Sequence, residues 1–262
     1  MASIRVGIGG WTYETWRGSF YPDKHPHARE LDYASRHVTA IEINGTYYST
    51  QKPKTWADWG ARVPEDFVFT VKASRFCTNR RVLADAGESI ARFVNQGLTE
   101  LGPKLGPILW QFMPTKAFDA QDFGAFLKLL PKEVAGVPLS HALEPRHESF
   151  RDPAFVDMAR TAGAAIVVAD DDTHPQIADV TGAFVYARLQ DQCEAEPTGY
   201  PPAALDRWAG IARAWAAGKE PDGLDYVARG RAAPTSRPVY IFMINGAKVR
   251  APAAAMALLE RL

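Results

Sequence analysis

Cysteine is nearly absent from this chain. Cys77 and Cys193 are the two in 262 residues, far apart and without metal-ligand spacing. That argues against a disulfide scaffold and fits a reducing cytoplasm. An excess of either charge is missing as well. The 30 basic and 30 acidic side chains cancel, so there is no global pull toward nucleic acid or anionic lipid, and any basic groove has to be local. No run reaches the about 18 apolar residues that a spanning helix needs. The opening Met-Ala-Ser-Ile-Arg-Val-Gly lacks the basic leader and apolar core of a secretory signal. Together these absences predict a cytoplasmic globular protein without a membrane partner.

What is present is alternation. Short apolar runs, many of them β-branched, fall at Ile4 to Gly9, Thr39 to Ile43, Phe67 to Ala73, Pro107 to Phe112, Leu139 to Glu144, Ala165 to Asp170, Ala183 to Leu189 and Val239 to Ile244. Their interiors are apolar on both faces, as parallel strands covered by helices require. Helical patterns separate them at Glu30 to His37, Lys54 to Arg62, Ala84 to Leu101, Ala120 to Leu130, Asp152 to Ala162 and Pro202 to Ala217, and a last one covers Ala253 to Leu262. Asp119 and Asp152 read as N-caps, and Gly102, Gly163 and Gly218 as C-terminal caps. Eight such units in one domain of this length predict an α/β fold, a (β/α)8 TIM barrel over residues 1–262. An open doubly wound sheet is disfavoured, because no strand leads into a complete Gly-x-Gly-x-x-Gly; Gly7, Gly9 and Gly10 run into the aromatic stretch Trp11 to Trp16. Two links are irregular. His174 to Gly182 is short for a crossover helix, and Lys219 to Arg237 reads as a surface loop or small excursion.

Charge appears where the apolar strands end. Glu42, Lys72, Gln111, Glu144, Asp170 and Arg188 end strands two to seven, and Asn44, Arg146, His147 and Asn245 follow close behind. In a parallel barrel all these ends share the rim where active sites are built. Side-chain parity sharpens the point: Ser140, Ala142 and Glu144 share one face, Ala40 and Glu42 another, and small residues below a carboxylate suit a lumen-facing row. Thr70 with Lys72 and Leu109 with Gln111 follow the same rule. A purely structural alternative stands beside the functional one, in which Lys72 or Arg188 closes ion pairs with Glu42 or Glu144 and fixes the barrel's register. Trp11, Tyr13, Trp16, Tyr21, Tyr47 and Tyr48 either roof the pocket or pack the loops. In the run Asp170-Asp171-Asp172-Thr173-His174, Asp170 is the site candidate and the others are loop or capping groups.

The motifs Gly10-Trp11, Glu42-Ile43-Asn44-Gly45-Thr46-Tyr47-Tyr48, Phe67-Val68-Phe69-Thr70-Val71-Lys72-Ala73, Gln111-Phe112-Met113-Pro114 and Glu144-Pro145-Arg146-His147 occur in order along nearly the whole chain. In them the sequence resembles the YecE-like family, a domain-of-unknown-function family. The resemblance implies a TIM barrel and a likeness to the barrels of endonuclease IV and xylose isomerase. The chain departs from the family pattern at Gln190-Asp191, where the resemblance implies His-Gly, and near Asn245, where it implies two asparagines and the chain has Ile244-Asn245-Gly246.

Three functions follow from these residues. The leading one is a hydrolase or lyase for a small anionic substrate, phosphorylated or derived from nucleic acid. Glu42 and Glu144 would be base and acid, with His147 and Asp170 as further catalytic candidates. Lys72, Arg146 and Arg188 would hold the anion, and Trp11, Asn44, Tyr47, Gln111 and Asn245 would complete the substrate site. This chemistry needs no metal or other cofactor. The second is an enzyme of the endonuclease or sugar-isomerase type, with a divalent metal on Glu42, Glu144, Asp170 and His147. The third is a non-catalytic small-ligand-binding protein.

Overall fold

A computed structural model describes residues 3–262. Eight strands, β1 (Ile4–Gly9), β2 (Ala40–Ile43), β3 (Val68–Lys72), β4 (Leu105–Gln111), β5 (His141–Glu144), β6 (Ala165–Asp170), β7 (Val185–Leu189) and β8 (Val239–Met243), close into a parallel barrel in which each pairs with its neighbours in sequence and β8 pairs with β1. The eight strands expected from the apolar runs are therefore all present. Residues just before β5 depart from expectation: Glu133–Val134 and Val137–Pro138 form a two-stranded antiparallel ribbon. Ala135 and Gly136 between them both have positive φ, the geometry of a tight two-residue hairpin turn.

The helices are α1 (Glu30–Ala34), α2 (Pro53–Arg62), α3 (Arg75–Thr78), α4 (Gly87–Val94), α5 (Ala120–Leu129), α6 (Pro153–Ala162), α7 (Pro202–Ala216) and α8 (Ala251–Leu259). Asp119 and Asp152 cap α5 and α6 through bonds to Asp122 N at 2.8 Å and Ala154 N at 2.7 Å. Gly163 ends α6 in the left-handed region. The helix expected over Ala84 to Leu101 is instead three pieces. α4 stops before Gly97, whose φ of 105° breaks the helix, and a Cβ there would lie 2.7 Å from Pro53 Cα at the start of α2. Gly102, expected as a C-cap, instead kinks the 3-10 segment Leu98–Lys104 that follows.

No helix links β6 to β7. The extended connection runs down the barrel with Ile177 and Ala178 fully buried. Buried Asp179 accepts Val227 N and Ala228 N at 2.7 Å each. Tyr226, Val227 and Ala228 pack on the outer core, so part of the 219–237 loop lies over the connection that has no helix. Among the described residues, no helix is long and apolar enough to cross a membrane.

Two apolar layers result. Ala40, Leu109, Ala142, Ala165, Val167, Tyr186 and Phe242 fill the lumen, while Ile41, Val71, Trp110, Leu143, Ala187 and Leu189 meet the helices. Burial of both layers is the main stabilising term. The lumen rows end in Glu42, Lys72, Gln111, Glu144 and Arg188, as parity requires.

Candidate anion-binding pocket on the barrel rim

Arg188 spans the top of the lumen. Its Nε and Nη2 donate to Glu42 Oε2 and Oε1 at 3.1 and 3.0 Å, and its Nη1 lies 2.8 Å from both carboxylate oxygens of Glu144. Relative exposures of 0% for Glu42, 1% for Glu144 and 2% for Arg188 mark the triad as out of water. Further donors complete it: Tyr186 Oη to Glu42 at 2.6 Å, Gln111 Nε2 to Glu144 at 2.6 Å, and Arg146 Nη2 to Glu144 at 3.2 Å. The Tyr186 hydroxyl also meets Thr70 Oγ1 at 2.9 Å. Burial raises the Glu144 pKa, but Arg188, Arg146 and Lys72 outweigh it and bring it down to about 2. The ion-pair alternative for Arg188 is thus realised.

Above the triad opens a cavity of about 320 Å³, lined by Lys72, Gln111, Arg146, Arg188, Asn44 and Tyr47, by Tyr13, Trp16 and Tyr48 from the first two loops, and by Asn245 and Lys248 after β8. Among the described residues, no carboxylate lines it. Four cations stand against the two buried carboxylates, a net charge of +2 when both lysines are protonated. The Lys72 ammonium lies over the Tyr47 ring, 4.4 Å from its centroid, and that of Lys248 over Tyr13 at 3.9 Å. Burial, reinforced by Arg188, lowers the Lys72 pKa to about 8. Trp16 Nε1 donates to Lys248 O at 2.7 Å and ties the β8 loop to the aromatic first loop.

The remaining sequence candidates sit elsewhere or in supporting places. Asp170 is turned away from the lumen, because Ala165, Val167 and Ala169 take the inward positions on β6; it accepts Tyr200 Oη at 3.1 Å. Burial raises its pKa. Asp171 organises the following loop by accepting Thr173 N and His174 N. His147 does not line the cavity; its Nδ1 pairs with Ser149 Oγ at 2.8 Å at the start of a 3-10 turn. Trp11 does not line it either, packing edge-on against Trp59 with centroids 5.1 Å apart. Tyr21 is buried and donates to the Trp11 carbonyl. Glu42, Glu144, Asp170 and His147 therefore form no common ligand set, and among the described residues no three His, Cys, Asp or Glu side chains converge as metal ligands would.

Asn245 reaches the rim with φ of 56° and donates to Gln190 Oε1 at 2.8 Å. The two departures from the family pattern are thus in contact.

Residues 5–262 match the model of the family described as protein of unknown function DUF72. The chain belongs to the DUF72 family. YecE-like is a synonym for it, so the ordered motifs pointed to the right family. UPF0759 protein YunF of Bacillus subtilis (strain 168) is 28% identical over 160 residues, 59% of this chain and 54% of that protein. The chain's match thus spans about half the length of this curated relative. A DUF72 family protein from Thermotoga maritima MSB8 superposes with a TM-score of 0.75 at 20% identity, over 98% of both chains. A xylose isomerase-like TIM barrel/4-hydroxyphenylpyruvate dioxygenase fusion protein superposes with a TM-score of 0.52 at 14% identity, over 97% of this chain and 41% of that one. These structural likenesses are likenesses of fold.

Proposed function

We propose that the rim cavity takes a small anionic substrate, phosphorylated or nucleic-acid-derived, on which the DUF72 barrel acts as a hydrolase or lyase. The observation that carries this reading is the cavity's one-sided lining: Lys72, Arg146, Arg188 and Lys248 reach it and, among the described residues, no carboxylate does. Such a cluster in a recess favours an anion and orients it before any chemistry. Glu42 and Glu144 serve by positioning Arg188. Both oxygens of each are held by it, and a carboxylate as acidic as Glu144 is a poor base near neutrality. Proton transfer then falls to Lys72, whose pKa of about 8 suits the task.

Thermal melts with added ligands test the reading, since a ligand of the folded state stabilises it by mass action. Inorganic phosphate or sulfate is expected to raise Tm more than Zn2+ or Mn2+ does, and Arg146→Ala with Lys248→Ala is expected to abolish the effect. Strong stabilisation by the metals and none by the anions would replace this reading with a metal-dependent one.

A further inference from the structure

Lys72 differs from the two arginines of the cavity in having no carboxylate partner, and from Lys248, which sits in a 3-10 turn, in standing on a barrel strand. Arg188 is paired with two carboxylates, and Arg146 with Glu144. Lys72 ends β3 on the lumen row above Thr70, with its Nζ against the face of Tyr47. Among the described residues it forms no ion pair, since the nearby carboxylates are taken. The groups around it are Glu42 from β2, Tyr47 from the turn after β2, Glu144 from β5, Arg146 from the loop beyond β5, and Arg188 from β7. Its Nζ therefore borders the cavity beside two arginines that carboxylates hold in place, and the hydroxyl of Tyr47 beside it is held by Asn79 Nδ2 at 2.8 Å.

Resting on the anion-site reading above, we propose that Lys72 is a nucleophile that forms an imine with the carbonyl carbon of a substrate also carrying a phosphate or carboxylate. The nitrogen lone pair forms the N–C bond as the carbonyl π bond breaks, and the oxygen takes up the proton that the nitrogen loses. The resulting carbinolamine expels water with one further proton from solvent, which leaves a protonated imine. No oxidant or reductant is needed. The product keeps one positive charge at the same place, so the triad below meets nearly the same field before and after. Arg146 and Lys248 hold the anionic group meanwhile, and the iminium can accept the electron pair of an adjacent breaking bond, the lyase half of the proposed function. The lowered pKa serves this role: at pH 7 far more of this amine is neutral than of an ordinary lysine.

Borohydride trapping tests the proposal on the full chain. Pyridoxal 5′-phosphate, an aldehyde bearing a phosphate, is added at pH 7, reduced, and its sites are mapped by peptide mass spectrometry. Glyoxylate, run the same way, removes probe size as an explanation. Lys72 is expected to react at least about 10-fold faster than any other lysine with one or both probes. Inorganic phosphate should suppress the reaction, and its rate should rise with pH to a midpoint near 8. Lys72→Arg should lose the label at this position while melting normally. Labels spread over surface lysines, with Lys72 no faster for either probe, overturn the imine. If phosphate still raises Tm in that case, the anion site stands and only the nucleophile falls. Rapid labelling of Lys72 that phosphate does not suppress would instead keep the nucleophile and remove the anion site.

Discussion

The guanidinium of Arg188 holds Nη1 at 2.8 Å from both carboxylate oxygens of Glu144, with neither side chain exposed by more than 2%. Taking the charge from Glu144 leaves Arg188 Nη1 and Arg146 without their anionic partner in a medium that solvates them poorly, with Glu42 alone to compensate Arg188. Glu144→Gln is therefore expected to destabilise the fold by about 3–5 kcal/mol, read as a shift of the denaturant midpoint at unchanged m. A loss within about 1 kcal/mol would mean the pair is more hydrated than its burial indicates.

Acid should act through the same carboxylate. Glu144 has a folded-state pKa of about 2, below the ordinary glutamate range. Its contribution is present in full above the unfolded pKa and disappears as pH falls through about 2. Melts from pH 6 to pH 2 should show stability falling in the wild type and falling less in Glu144→Gln. Parallel curves would contradict this assignment.

Tyr186 is the lumen's hidden support, donating to Glu42 while meeting Thr70. Tyr186→Phe removes a buried bond to a charge and leaves Thr70 Oγ1 without this partner, so a cost of about 1–3 kcal/mol is expected. Denaturant melts measure it, and a neutral outcome would show that Glu42 is satisfied by Arg188 alone.

How far these features were legible in the sequence follows from one rule, side-chain parity. Applied to Glu144 over Ala142 it correctly found the lumen face. Applied to β6 it would also have turned Asp170 outward, because Ala165 and Val167 fill the inward row and Ala169 is in register with inward Arg188. Tyr186 shares its face with Arg188, so parity held its signal too. Loop residues obey no such period. Lys248 reaches the cavity through a 3-10 turn fixed by Trp16, whereas Trp11 and His147 turn to local partners. The missing helix between β6 and β7 could be read from the short link, but its cover by the distant loop around Val227 could not.

Gly9 lines the cavity. A Cβ on it would lie 2.6 Å from Ile244 Cδ1 and 2.9 Å from Asn44 Nδ2. Both belong to the lining, so Gly9→Ala should push them inward and weaken phosphate binding more than it lowers Tm. Unchanged affinity in a calorimetric titration would show that Asn44 and Ile244 give way without cost.

The central claim is an anion site built on Lys72, Arg146 and Lys248 above a carboxylate pair bridged by Arg188. Calorimetric titration of inorganic phosphate at pH 7 and at pH 9.5, with the wild type and with Arg146→Ala/Lys248→Ala, tests it most directly. The account predicts saturable binding by the wild type at pH 7, weaker binding at pH 9.5 where Lys72 has lost its proton, and none by the double variant. Binding that survives the double substitution, or that does not weaken as Lys72 deprotonates, would contradict it.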